Sequence, residues 1–197
     1  MQRRRVGRGR GPGALGAVAA FSIAFGFVEA AVVFYLRHLL TSPATYRVAP
    51  RAVLVNFGAI TFVRSIHSFL PASIERVEMV RESATLVMLI ALAVLAGSRA
   101  RERWGAFLVA FSAWDLSYYL FLRIIDGWPN SLFTRDVFFL LPVPSIGPVL
   151  TPLVMFSVAL VVGVALWTSP RAQTTALDPD AQHSTLNVNN DLRDGAT

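Results

Sequence analysis

IERVEMVRESATLVMLIALAVLAG, residues 74–97, is the stretch whose reading decides the class of this chain. Its second half, 83–97, is an uninterrupted apolar run of about 22 Å as a helix. A bilayer core is about 30 Å thick and takes about 20 residues to cross. A crossing helix must therefore reach back to about residue 77. That draws Arg81 and Glu82, and Glu78 at the margin, below the interface. Ionisable side chains are costly there, so they face protein or water and commonly mark a functional site. The stretch predicts both a transmembrane helix and a polar site on it.

The rest of the composition agrees. Of 197 residues, 54% are hydrophobic and only 15% charged, with a mean hydropathy of +0.54. Soluble domains average nearer 25% charged. The apolar residues fall in long blocks, which predicts one all-α polytopic membrane bundle over 14–168 with polar ends. The formal charge of +6 comes from arginine alone, since the chain has no lysine. No basic face interleaved with aromatics is evident, so nucleic acid is not an expected partner. With no cysteine, disulfides, thiolate metal sites and thiol catalysis are excluded.

Working outward, residues 1–13 form a basic leader expected to be disordered, with five arginines. Arg3-Arg4 does not continue as a twin-arginine signal. The apolar block 14–36 is longer than a signal-peptide core and is read as an uncleaved first span. It carries Glu29, with Ser22, Gly26 and Ala30 near the same side. Small residues at four-residue spacing allow close helix approach, so the packing face is also the charged face. Residues 52–63 are too short to span and are expected to be an interfacial helix or a re-entrant segment. The alternative makes 48–70 a fifth span.

Helix two is expected over 77–97, with Gly97 as its C-terminal cap. Helix three follows over 104–125, with Trp104 and Trp128 as interfacial anchors. Residues 131–147 are expected to be a second interfacial or re-entrant element, its 131–141 part a short helix. Pro148 or Pro152 can open helix four, 149–168. The tail 169–197 is polar, without an apolar run, and is expected to be disordered.

Arginine placement sets the expected orientation. With four spans and both termini cytoplasmic, the leader, the 99–103 loop and Arg171 lie inside. Arg37, Arg47, Arg51, Arg64, Arg76 and Arg135 lie outside. Arginine without lysine suggests a GC-rich bacterium, hence a cytoplasmic membrane.

Depth follows from the 1.5 Å rise per residue. Glu29 falls about 10 Å, Glu82 about 8 Å and Asp115 about 15 Å below the outer surface. Three helices thus direct charge into the outer half of the bundle. The candidate ligand or ion site is Glu29, Glu78, Arg81, Glu82, Asp115, Tyr118 and Tyr119. Arg81 is the cation at depth, with Arg123 near the rim. Several carboxylates against one arginine leave surplus negative charge, which a low dielectric requires to be protonated or neutralised.

The leading function is therefore binding or passing a proton, a cation or a small cationic solute. A membrane-embedded enzyme is the first alternative, with Glu82 or Asp115 as general base. Glu29, Glu82, Asp115 and His67 are the metal candidates, and no cofactor is identified. His38, nine residues from Glu29, falls on the other side of a continuous helix, and His183 lies in the tail. No HExxH, GxSxG or P-loop pattern is present. The second alternative is an accessory or assembly subunit whose charges only hold helices in register. The expected partners are the lipid bilayer and either further copies of the chain or a membrane complex.

Overall fold

The computed structural model describes residues 12–40, 53–64 and 71–169. The basic leader, the tail beyond 169, His67 and His183 lie outside the described residues. Four long helices dominate: α1 (Pro12–Leu40), α2 (Ala72–Ala96), α3 (Ala100–Asp126) and α4 (Leu150–Thr168). Each is long and apolar enough to cross a bilayer, with mean hydropathy between 1.4 and 2.2 over its best window. Their outer surfaces carry exposed large apolar residues, among them Phe27, Val80, Leu95, Leu120, Ile124 and Val161. Soluble monomers rarely expose apolar surface on that scale. Lipid is the solvent in which such a surface is stable.

Small residues set the packing. A Cβ on Gly26 would stand 2.7 Å from the Trp114 carbonyl oxygen, so only glycine lets α1 approach α3 here. Ser22 and Ala30, one turn either side, are fully buried. This is the face expected from the sequence. Helices α3 and α4 meet at a second such contact. There a Cβ on Gly105 would lie 2.8 Å from the Gly163 carbonyl, and one on Gly163 would lie 2.9 Å from that of Gly105. In lipid, helices associate through such close packing, because apolar burial alone gains little. Helix α3 is central: α1, α2 and α4 all pack on it, while α1 and α2 barely touch.

The two segments expected to be interfacial or re-entrant contain strands, and 131–141 is not the short helix expected. Between α1 and α2 lies a hairpin of β1 (Val53–Asn56) and β2 (Thr61–Val63); between α3 and α4 lie β3 (Arg135–Phe139) and β4 (Ser145–Pro148). They form one antiparallel sheet in the order β1-β2-β4-β3, with Phe62 opposite Ser145 and Val137 opposite Ile146. The reasons are local. Val53, Val55, Thr61, Phe62 and Val63 are β-branched or aromatic, which favours a pleated surface. Asn56 shapes the turn, its Oδ1 accepting from the Gly58 N–H at 2.7 Å while Gly58 takes φ +78°. The four-residue hairpin turn also means that 53–63 is not part of a continuous fifth span.

Other boundaries differ from those expected. Helix α2 begins at Ala72, where the Pro71 carbonyl accepts from the Ile74 and Glu75 N–H groups. Gly97 ends it in an extended conformation, with no left-handed cap. A Cβ there would meet the Arg103 nitrogen at 2.5 Å. Pro152 sits in the first turn of α4, and Pro148 ends β4. Trp104 is exposed, as an anchor would be, but Trp128 is buried against Tyr119 and Arg37.

Candidate functional site

The C-terminal half of α1, the N-terminal half of α2 and the C-terminal half of α3 meet at the end of the bundle covered by the sheet. Helical periodicity brings their polar residues to one place. Glu29, Val33, Leu36 and Arg37 occupy one stripe of α1, at i, i+4, i+7 and i+8. Glu78, Glu82 and Thr85 lie on the buried stripe of α2 that continues through Leu89, Ala93 and Ala96. Trp114, Asp115, Tyr118 and Tyr119 come from α3. Together with residues 136–140 of β3 and its end, they line a cavity of about 130 Å³. All seven site candidates named from the sequence line it.

Most of the charges in the wall are mutually satisfied. Arg81 crosses the gap between α2 and α1 to pair with Glu29, and its Nε donates to Glu78 at 2.9 Å. Among the described residues Glu82 forms no ion pair with an arginine. Its carboxylate accepts the backbone N–H groups of Leu140 at 2.8 Å and Leu141 at 3.3 Å, tying α2 to the end of β3.

Two charged residues of the wall, Arg37 and Asp136, are not among the sequence candidates. Asp136, from β3, accepts from the Tyr119 hydroxyl at 3.0 Å and faces Arg37 at 3.8 Å. Arg37 also pairs with Asp126 at 3.4 Å, and its guanidinium lies 3.7 Å above the centre of the Trp128 ring. Cation–π contact and two carboxylates fix it in place. Burial pushes the Asp136 carboxyl up to about 6, against the opposing pull of Arg37, the Tyr119 hydroxyl and the Val137 N–H. The signal for Arg37 is its place two turns beyond Glu29 on one helical face. Asp136 carries no such signal, because a helical reading of its segment gives no reason to aim it inward.

Asp115 differs from the other four acids. It is 7% exposed, and its Oδ2 is buried with no hydrogen-bond partner among the described residues. The Trp114 indole N–H and the Ser112 hydroxyl on the same helix also lack partners among the described residues. A buried carboxylate left without hydrogen bonds or a counter-charge is strongly unfavourable.

Of the metal candidates, Glu29, Glu82 and Asp115 lie within the described residues and His67 outside them. Among the described residues no three of Asp, Glu and His are placed to hold a metal ion together. Glu29 is engaged by Arg81 and Glu82 by backbone N–H groups. Arg123, expected at the rim, turns back to donate to the Gly127 carbonyl. His38 faces Asp126 at 3.8 Å, away from Glu29. No family model, curated protein or solved structure matches this chain.

Proposed function

We propose that this small multi-pass membrane protein binds a cation or a proton in its intramembrane cavity and passes it on, with Asp115 as the binding carboxylate. One observation carries the reading: five acids line the cavity, and four have partners within the wall while Asp115 Oδ2 has none among the described residues. The paired groups build the site. Arg81 holds Glu29 and Glu78 together across the α1–α2 gap, and Glu82 anchors the sheet. These ion pairs are the part of the cluster that acts as scaffold, which is the accessory-subunit alternative confined to its proper residues.

In the arrangement we favour, the sheet end faces outward and both termini face the cytoplasm, because arginines then concentrate inside. A bacterial cytoplasmic membrane suits the arginine-only composition. Four helices make a small carrier, so assembly with further copies of the chain belongs to the same proposal.

The test is thermal unfolding of purified protein in detergent, wild type beside Asp115→Asn, Glu29→Gln and Glu82→Gln, across pH and a panel of cations. Asp115→Asn should be at least as stable as wild type without ligand, and should lose the wild-type response to protons or cations. Glu29→Gln and Glu82→Gln should lose stability. Collapse of Asp115→Asn, together with a wild type indifferent to every ion and to pH, would refute the reading.

A further inference from the structure

We infer that the cation this cavity accepts is a small organic ammonium of about five or six heavy atoms, held between Asp115 and an aromatic wall. The inference rests on the cation-site reading of Asp115 and narrows it to one chemical class.

Size comes first. The cavity measures about 130 Å³. A cavity of about 150 Å³ holds a benzene-sized molecule. The space is therefore too large for a bare ion to fill and too small for a drug-sized molecule.

The donor set comes second. Calcium takes about 6–8 oxygen ligands and magnesium demands near-octahedral oxygens. Here the competing carboxylates are committed elsewhere: Glu29 and Glu78 to Arg81, Glu82 to the Leu140 and Leu141 N–H groups, Asp136 to the Tyr119 hydroxyl. Asp115 Oδ2 has no hydrogen-bond partner among the described residues, and among those residues no three of Asp, Glu and His are placed to hold a metal ion together. One carboxylate without two further acidic or histidine ligands beside it is a poor replacement for the hydration shell of a hard metal ion. It does suit one charge-assisted bond from an N–H donor, or one contact with a methylated ammonium.

The wall comes third. Trp114, Tyr118, Tyr119, Phe138 and Phe139 line the same cavity as Asp115. Tyr118 and Tyr119 meet at 65°, with ring centroids 4.8 Å apart, so the two rings present differently oriented surfaces. Aromatic faces attract ammonium groups, and most strongly when water is excluded. Aromatic rings give a hydrated metal ion or a proton no comparable advantage. An anionic occupant is disfavoured, because the two arginines in the wall already face carboxylates.

The experiment is calorimetric titration and thermal unfolding of the detergent-purified full chain. The probes are methylammonium, tetramethylammonium, tetrabutylammonium, sodium, potassium, magnesium and calcium. Methylammonium or tetramethylammonium should bind saturably and raise the unfolding temperature, while tetrabutylammonium should not fit. Asp115→Asn should abolish that binding. Tyr118→Leu, at the half-buried edge of the wall, should weaken it about 30-fold if a desolvated cation–π contact is lost, and Tyr118→Phe should retain it.

If a metal ion binds in an Asp115-dependent manner and no ammonium does, the inference fails while the cation-site reading stands. If tetrabutylammonium binds as well as tetramethylammonium, or Tyr118→Leu binds as tightly as wild type, the inference also fails. If no cation binds and Asp115→Asn leaves the pH response unchanged, both fail.

Discussion

Replacing Arg81 by methionine tests whether its ion pairs hold the bundle together. The side chain spans α2 to α1, and its partners Glu29 and Glu78 are 13% and 9% exposed. Arg81→Met keeps the apolar stem of the residue but leaves two carboxylates facing each other. Keeping both charged without the guanidinium costs desolvation and repulsion, and that cost is capped by the cost of protonating one of them. An aqueous glutamate titrates near 4.3, and each pH unit is worth about 1.36 kcal/mol, so neutralising one at pH 7 costs about 3.7 kcal/mol. That matches the roughly 3–5 kcal/mol seen when one partner of a buried pair is removed. It is far above the roughly 0.6 kcal/mol average for interhelical hydrogen bonds in membrane proteins.

The mechanism also fixes the pH dependence. The penalty should shrink to about 1 kcal/mol at pH 5, because the proton is then cheaper to take up. The combined variant Glu29→Gln, Glu78→Gln, Arg81→Met should recover most of the loss at pH 7, because no charge is left to neutralise. Denaturant unfolding in mixed micelles at pH 5, 6 and 7 measures all three quantities. A penalty that does not change with pH, or a combined variant no more stable than Arg81→Met, would overturn the reasoning. The arginine would then be acting through its packing alone.

Further expectations concern the sheet and the helix contacts. Asp136 faces Arg37 from α1 and lies near Tyr119 and Asp115 of α3, and its carboxyl titrates at about 6 when folded against 3.8 in water. The folded state therefore binds more protons between those values. Stability should fall by up to about 3 kcal/mol as pH rises from 4 to 6, and the Asp136 contribution should be constant above that. Asp136→Asn keeps an acceptor for Tyr119 and should remove that slope, as urea titrations at several pH values would reveal. Glu82→Gln keeps one acceptor but loses the charge, weakening bonds that are typically worth about 1.5–3 kcal/mol when charge-assisted. Amide hydrogen exchange at Leu140 and Leu141 should quicken, while that of α4 stays unchanged. Gly26→Ala would place a methyl 2.7 Å from the Trp114 carbonyl and should push α1 off α3. A loss of about 1–3 kcal/mol is expected, in the range for overpacking. A Gly26→Ala variant as stable as wild type in detergent would show that the contact is not tight.

What the residues reveal on their own, and what they do not, divides along physical lines. Membrane residence and the four spans are visible in the sequence, because an apolar run of the right length has one stable solution in lipid. The charged face of α1 is visible too, since Ser22, Gly26, Ala30 and Glu29 follow helical spacing. Periodicity and depth nominate seven of the residues that line the cavity, because residues three and four apart share a face.

The sheet is not legible in the same way. Strands of three to five residues carry too little periodic signal to separate them from helical turns, and their pairing joins segments more than 80 positions apart. Asp136 and Arg37 enter the site only through that pairing and through the extension of α1 to Leu40. Which acid pairs with which base is equally closed to the sequence. By spacing and depth alone, Arg81 reaches Glu82 or Asp115 as readily as Glu29. Glu78 is an i,i+3 neighbour of Arg81 on α2, but the placement of α1 selects Glu29, and the end of β3 supplies Glu82 with backbone donors. Those choices leave Asp115 Oδ2 without a hydrogen-bond partner among the described residues, a property of the assembled wall that no single helix contains.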